Sequence, residues 1–240
     1  MNLVADIGNS SAKIALFKGR GIVSSERYPD LTVEVLMKLL SSGKFEKAII
    51  SSVKTIPDTI NKILSSKVSF VHLLSAKSKL PFRIGYLSPE TLGTDRIAAV
   101  AGAHMLYNGS SSLVIDAGTA LTFDLLEDDL YHGGNISPGI RMRFEALHSF
   151  TDRLPLINTL KPYESPGKTT EEAIRAGVMN GVIYEINEYI RTFEKKYPGI
   201  KVILTGGDGA FLHDKLEHKI DYIPEIVIEG LNYILEYNAK

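Results

Sequence analysis

Two segments of the chain are near copies of each other. Leu3-Val4-Ala5-Asp6-Ile7-Gly8-Asn9-Ser10 recurs as Leu113-Val114-Ile115-Asp116-Ala117-Gly118-Thr119-Ala120. Each is an apolar run that ends in Asp-x-Gly, and each is followed by a second apolar run, Ala12 to Phe17 and Leu121 to Leu126. The pattern predicts strand, tight turn, strand. A carboxylate at such a strand end can hold a cation. The glycine lets backbone N–H groups approach an anion with no Cβ in the way. One such hairpin in each half points to two lobes of related design, each with a turn suited to gripping phosphate.

The length of 240 residues suits two small domains, and the repeat divides them as 1–108 and 109–240. A net charge of −1 gives no reason to expect a nucleic-acid or anionic-membrane partner, so phosphate must be held locally by turns and helix starts. There are no cysteines, which excludes disulfides, thiolate catalysis and Cys-ligated metals. No apolar run approaches the ~18 residues of a membrane span. The first strand begins at Asn2 without the pattern of a signal peptide, and the expected compartment is a reducing cytoplasm.

Apolar periodicity predicts, in the first half, strands at Asn2–Ile7, Ala12–Phe17, Gly21–Ser24, Ala48–Ser51 and Val68–Leu73. Helices are expected at Leu31–Leu40, Pro57–Leu64 and Arg96–Tyr107, with a loop over Pro81–Thr94. The second half repeats the theme. Strands are expected at Leu113–Ile115, Thr122–Leu126, Leu130–Ile136, Lys201–Leu204 and Ile220–Ile223. Helices are expected at Gly139–His148, Thr170–Lys196, Gly209–Leu216 and Glu225–Tyr237, with a Pro-rich linker over Leu154–Pro166. Three successive strands and then alternating helix and strand, twice over, resemble the duplicated ribonuclease-H-like fold of actin, sugar kinases and heat-shock chaperones. That resemblance implies an α/β chain of two tandem ribonuclease-H-like domains with a nucleotide cleft between them.

Gly167-Lys168-Thr169 is not a P-loop: the first glycine of that motif would fall on Pro162, and no strand precedes it. The six histidines are scattered without metal-ligand spacing. Asp6 to Lys13 is a stronger candidate, although Asp-x-Gly alone is also an ordinary hairpin turn. Lys13 stands on the return strand within reach of phosphates. In Gly93-Thr94-Asp95-Arg96, Asp95 reads either as a plain N-cap or as a proton acceptor beside an anion-binding helix start. Gly133-Gly134-Asn135-Ile136-Ser137-Pro138-Gly139 suggests backbone pressed close to something. Thr169 and Glu172 have capping-box spacing. Thr205-Gly206-Gly207-Asp208-Gly209 ends a strand and opens a helix. The long helix carries Ile174, Val178, Ile183, Ile186, Tyr189 and Ile190, an apolar surface that is either core or a contact with a partner.

In this order, these motifs resemble type III pantothenate kinase, a family of the same superfamily. Asp6-Ile7-Gly8-Asn9-Ser10…Lys13, Tyr86-Leu87-Ser88-Pro89, Gly93 to Arg96, Asp116 to Thr119, Gly133 to Gly139, Thr170…Ala173-Ile174…Gly177 and Thr205-Gly206-Gly207 span nearly the whole chain. Ser10 stands where many relatives have Thr, and the hydroxyl is kept. The resemblance implies ATP-dependent phosphorylation of pantothenate to 4′-phosphopantothenate, the first step of coenzyme A synthesis. It implies Asp95 as general base. ATP would be bound by Asp6, Ile7, Gly8, Asn9, Ser10, Ser11, Ala12, Lys13 and Thr119, and pantothenate by Tyr86, Gly93, Thr94, Asp95, Arg96 and Thr170. It also implies a potassium or ammonium ion at Asp116, magnesium with the nucleotide, and a homodimer whose second subunit closes part of the substrate site. A sugar kinase or exopolyphosphatase of the same fold is one rival. A transcriptional accessory factor is another, though such a protein would have no need to retain Asp95.

Overall fold

The structure is a computed structural model that describes residues 1–108, 110–157 and 161–239. Gly109, where the second domain was expected to start, and residues 158–160 of the Pro-rich linker lie outside the described residues. In chain order the elements are strands β1 (Asn2–Ile7), β2 (Ala12–Lys18) and β3 (Gly21–Tyr28), helix α1 (Val33–Ser41), β4 (Lys47–Ser52), α2 (Asp58–Lys67), β5 (Phe70–Leu73), β6 (Arg83–Ile84) and α3 (Thr94–Tyr107). There follow β7 (Ser112–Ala117), β8 (Ala120–Glu127), β9 (Leu130–Pro138), α4 (Ile140–Ser149), α5 (Thr170–Lys196), β10 (Lys201–Thr205), α6 (Gly209–His213), β11 (Asp221–Tyr222) and α7 (Ile226–Asn238).

The repeat seen in the sequence is a repeat of topology. One sheet has the order β3-β2-β1-β4-β5, and the other contains β9-β8-β7-β10-β11 with β6 added beyond β9. In the first sheet β1 pairs antiparallel with β2 and parallel with β4. In the second, β10 pairs parallel with both β7 and β11. The chain forms two compact units. One comprises Met1–Ser110, Leu125–Gly133 and Glu225–Lys240, and the other Ser111–Asp124 and Gly134–Pro224.

In the first unit the central strands are buried on both faces, so they read as continuous apolar runs rather than alternating ones. Leu3, Ala5, Ile14 and Ile50 pack with Leu36 of α1 and with Ile60 and Leu64 of α2. Val4, Ala15, Phe17 and Ile49 join the opposite cluster, with Ile97, Ala98 and Ala101 of α3 and Leu231 and Leu235 of α7. The small residues of α3 allow the close packing they suggested. A Cβ on Gly230 of α7 would meet the carbonyl oxygen of Ala98 at 1.9 Å, so the two helix backbones are nearly in contact there.

In the second unit, Leu113, Val114 and Ile115 of β7 and Ile203 and Leu204 of β10 are buried. Helix α5 covers Thr170–Lys196, the limits expected from its pattern. Its first turn is closed by the capping box: Thr169 Oγ1 accepts the Glu172 N–H and Glu172 accepts the Thr169 N–H. Ile174, Val178, Ile186 and Ile190 are buried within the chain itself, so these residues of α5 are core. Tyr189 stacks on Phe123 with ring centroids 3.9 Å apart.

Several boundaries differ from expectation. Strand β3 runs four residues beyond Ser24 because its pairing with β2 continues, although its own residues are mostly solvated. The expected loop over Pro81–Thr94 contains β6 and a 3₁₀ turn at Pro89–Thr91. Helix α3 begins at Thr94 with Gly93 as its N-cap, so Asp95 lies inside the first turn and is not the cap.

Candidate active site

In the first unit, the C-terminal end of β1 carries a row of polar side chains on an otherwise apolar face. Asp6 is in register with Lys13 of β2 and with Ser51 of β4, and Lys13 is in register with Arg27 of β3. Cross-strand partners project to one face, and strict alternation puts this row on the same face as Val4, Phe17 and Ile49. The row therefore runs Arg27, Lys13, Asp6, Ser51 across four strands, at the edge of the cluster that includes α3.

The turn after β1 is closed by the Gly8 N–H donating to the Ser11 carbonyl oxygen at 3.0 Å. Ile7 and Ala12 are buried at its base, and Asn9 and Ser10 stand exposed at its tip. Arg27 Nη1 approaches the hydroxyl of Ser11 at 3.4 Å. Lys13 Nζ forms an ion pair with Glu225 at 2.8 Å, and Ser25 donates to the second oxygen of Glu225 at 3.2 Å. Eight of the nine residues expected to bind ATP, Asp6 through Lys13, thus form one hairpin with Arg27 on its flank, while Thr119 belongs to the second unit.

Helix α3 starts beside this row. Ser51, fully buried, donates to Asp6 Oδ1 at 3.0 Å, and its oxygen lies 3.0 Å from Thr94 Oγ1. Asp95 Oδ1 accepts the Arg96 N–H at 2.8 Å. The Asp95 carboxylate lies close enough to Asp6 for its charge to act on that group. Withdrawal from water raises the Asp6 pKa to about 6, opposed by the Ser51 hydrogen bond, reinforced by Asp95 and opposed again by Lys13 and Arg27. Arg96 is buried and its guanidinium lies 5.8 Å from the centre of the Tyr86 ring. Tyr86 in turn lies against Gly133, whose φ of +106° and lack of Cβ both matter, since a Cβ would meet the ring at 2.8 Å. Tyr86, Gly93, Thr94, Asp95 and Arg96 are therefore gathered with the first hairpin in one unit.

In the second unit the copy of the hairpin is clamped by the glycine-rich segments. The Gly118 N–H donates to Ala120 O, the Gly139 N–H to Thr119 O and the Asp208 N–H to Ala117 O. Gly206, with φ +93°, passes so close to Asp116 that a Cβ would lie 2.5 Å from its Oδ1. What Pro138-Gly139 and Thr205-Gly206 press against is thus the protein's own turn at Asp116–Thr119. Thr170 lies elsewhere in this unit, on a groove of about 730 Å³ lined also by Pro138, Arg143, Leu147, Leu154 and Ile174. Arg143 is held there by Ser137 and Glu185. Among the described residues no three of His, Cys, Asp and Glu come together as a metal site.

The type III pantothenate kinase family model matches residues 2–192. A type III pantothenate kinase from Phocaeicola vulgatus is 44% identical over 241 residues, covering 100% of both chains. The chain belongs to the type III pantothenate kinase family. Among solved structures, a Campylobacter jejuni protein described as a Baf family transcriptional activator is 25% identical, covers 99% of this chain and 98% of its own, and superposes with a TM-score of 0.64. A Listeria monocytogenes protein described as an N-acetylmannosamine kinase superposes with a TM-score of 0.58 at 11% identity, covering 100% of this chain and 99% of its own. The second likeness is one of fold alone, and with the two sheets it identifies the architecture as the duplicated α/β fold of actin-like kinases.

Within the type III pantothenate kinase pattern, three polar neighbours of the expected residues carry no motif of their own. Ser51 ends an apolar run and resembles any strand-end serine. Arg27 sits in a solvated edge strand whose continuation was invisible without β2. Glu225 precedes α7, far along the chain from the lysine it pairs with. Alternation along β4, which places Ser51 on the face of Ile49, is the one signal that could have singled out the serine.

The raised pKa of Asp6 has a sign that stability measurements can read. In the unfolded chain the group titrates near 3.8 and in the folded chain near 6, so stability is lost as the pH rises between those values. Above pH 6 the full penalty is about 3 kcal/mol, from ~1.4 kcal/mol per pKa unit. Asp6→Asn, which cannot ionise, is expected to be more stable than the wild type at pH 8, with a smaller advantage at pH 5. Urea denaturation at the two pH values checks this, and equal stabilities at pH 8 would contradict it.

Proposed function

We propose that this chain transfers the γ-phosphoryl group of ATP to the primary hydroxyl of pantothenate, giving 4′-phosphopantothenate in coenzyme A synthesis. The observation that carries the proposal is the full-length identity to type III pantothenate kinases, with Asp95 placed beside the Asp6 hairpin. A sugar acceptor has no comparable support, because the likeness to sugar kinases is one of fold. We place the enzyme in the cytoplasm. Among the described residues no helix is long and apolar enough to cross a membrane.

In this proposal the backbone of Gly8 to Ser11 and the cations Lys13 and Arg27 hold the ATP phosphates. Tyr86 and Gly93 to Arg96 bind pantothenate. The carboxylate of Asp95, steadied through Oδ1 by the Arg96 N–H, takes the hydroxyl proton. The hydroxyl oxygen bonds to the γ-phosphorus as the bond from that phosphorus to the β–γ bridging oxygen breaks, and ADP leaves. Magnesium would accompany the nucleotide, with Asp6 placed to orient it or the phosphates. We place the potassium or ammonium ion expected from the family at Asp116, the carboxylate at the end of β7, where it would add positive charge. The homodimer expected from the family would use the open groove at Thr170, with the second subunit closing part of the substrate site.

Asp95→Asn is expected to fold normally and to lose roughly 10²–10⁴-fold in kcat, the usual share of general-base catalysis. A folded variant with near-normal kcat would remove Asp95 from the role. Turnover is expected to require potassium or ammonium and to be weak in sodium alone. Asp116→Ala should abolish both the salt preference and most of the activity, while equal rates in every monovalent salt would refute the cation site. Light scattering at assay concentration should find twice the chain mass of 26.4 kDa, and a fully active monomer would end the dimer proposal.

A further inference from the structure

Ser51 belongs to none of the sequence motifs, yet its side chain touches two of them. It is completely buried at the end of β4, between Asp6 at the end of β1 and Thr94 at the start of α3, with both oxygen–oxygen distances 3.0 Å. A buried hydroxyl that follows Ala48, Ile49 and Ile50 in its strand needs partners, and these two supply them.

The direction of the two hydrogen bonds follows from proton count. An ionised carboxylate only accepts, so the single Ser51 proton goes to Asp6. Ser51 can then meet Thr94 only as an acceptor, and the Thr94 hydroxyl must donate to it. With its own proton committed, Thr94 offers only lone pairs to anything bound at the start of α3. We propose that Ser51 is a positioning residue: it ties the nucleotide hairpin to the Gly93–Arg96 turn and holds Thr94 as an obligate acceptor toward the phosphoryl-accepting substrate. The group opposite Thr94 must then be a donor, a hydroxyl or an amide N–H, and not the substrate's carboxylate. This rests on the pantothenate reading for the identity of that substrate, though not for the hydrogen-bond chain itself.

Two measurements test it together. In steady-state kinetics, Ser51→Ala and Thr94→Val should each lower kcat/KM for pantothenate roughly 10- to 100-fold, the scale of a bond in a charge-assisted chain. The double variant should be no worse than the poorer single one, because both break the same chain. Ser51→Thr, which keeps the hydroxyl, should recover most of the loss. Losses that multiply in the double variant would overturn the proposal. The second measurement needs no substrate. Thermal melts of Asp6→Asn, Thr94→Val and the pair should show non-additive shifts in the wild-type background and additive shifts in a Ser51→Ala background. Additivity in both backgrounds would likewise overturn it. Failure of the wild-type chain to phosphorylate pantothenate would overturn the activity and leave the link to the melts.

Discussion

The interaction on which the first unit's site depends is the hydrogen bond from Ser51 to Asp6. A carboxylate at the end of a central strand is costly when withdrawn from water, and the cost appears as a pKa raised to about 6. The fold meets that cost from several sides. Ser51 donates to it from β4, Lys13 faces it from β2, and Arg27 stands one strand further out. The same contacts set the position of the Gly8–Ser11 turn and, through Ser51, the start of α3. An arrangement that is unfavourable for stability alone is consistent with the nucleotide-binding role proposed for this turn.

The second unit uses the same strand order with a different kind of support. Asp116 occupies the place of Asp6 in the repeat, but its neighbour strand β10 delivers Thr205 and then Gly206 instead of two serines. The turn is consequently gripped by backbone, with Gly139, Gly206 and Asp208 all approaching Asp116–Thr119. One hairpin is held by side-chain hydrogen bonds and ion pairs, and the other by main-chain carbonyls and amides. The two hairpins therefore differ in construction, and the roles proposed for them, phosphate in the first and a cation in the second, differ as well.

Much of this was legible in the sequence because it is carried by local pattern. The duplicated Asp-x-Gly hairpins, the limits of α5 and the Thr169–Glu172 capping box all depend on residues close together in the chain. What was not legible depends on pairing. Arg27 joins the site because β2 extends β3 past Ser24, where the edge strand has no apolar signal of its own. Asp95 is displaced from the capping position because α3 begins at Thr94, two residues before the expected start at Arg96. Ile174, Val178, Ile186 and Ile190 looked like surplus apolar area, but they are buried under the second sheet's unit once the chain folds. Ser51 and Glu225 acquire meaning only through partners distant in sequence, Asp6 and Lys13.

The central claim is that the residues gathered around Asp6 and Asp95 phosphorylate the primary hydroxyl of pantothenate. The most direct measurement is mass spectrometry with phosphorus NMR of the product formed from ATP, magnesium and pantothenate in potassium buffer. One added phosphoryl group, esterified to the primary hydroxyl, and one ADP per product molecule are expected. ATP left intact, or hydrolysed to ADP and inorganic phosphate with pantothenate unchanged, would contradict it.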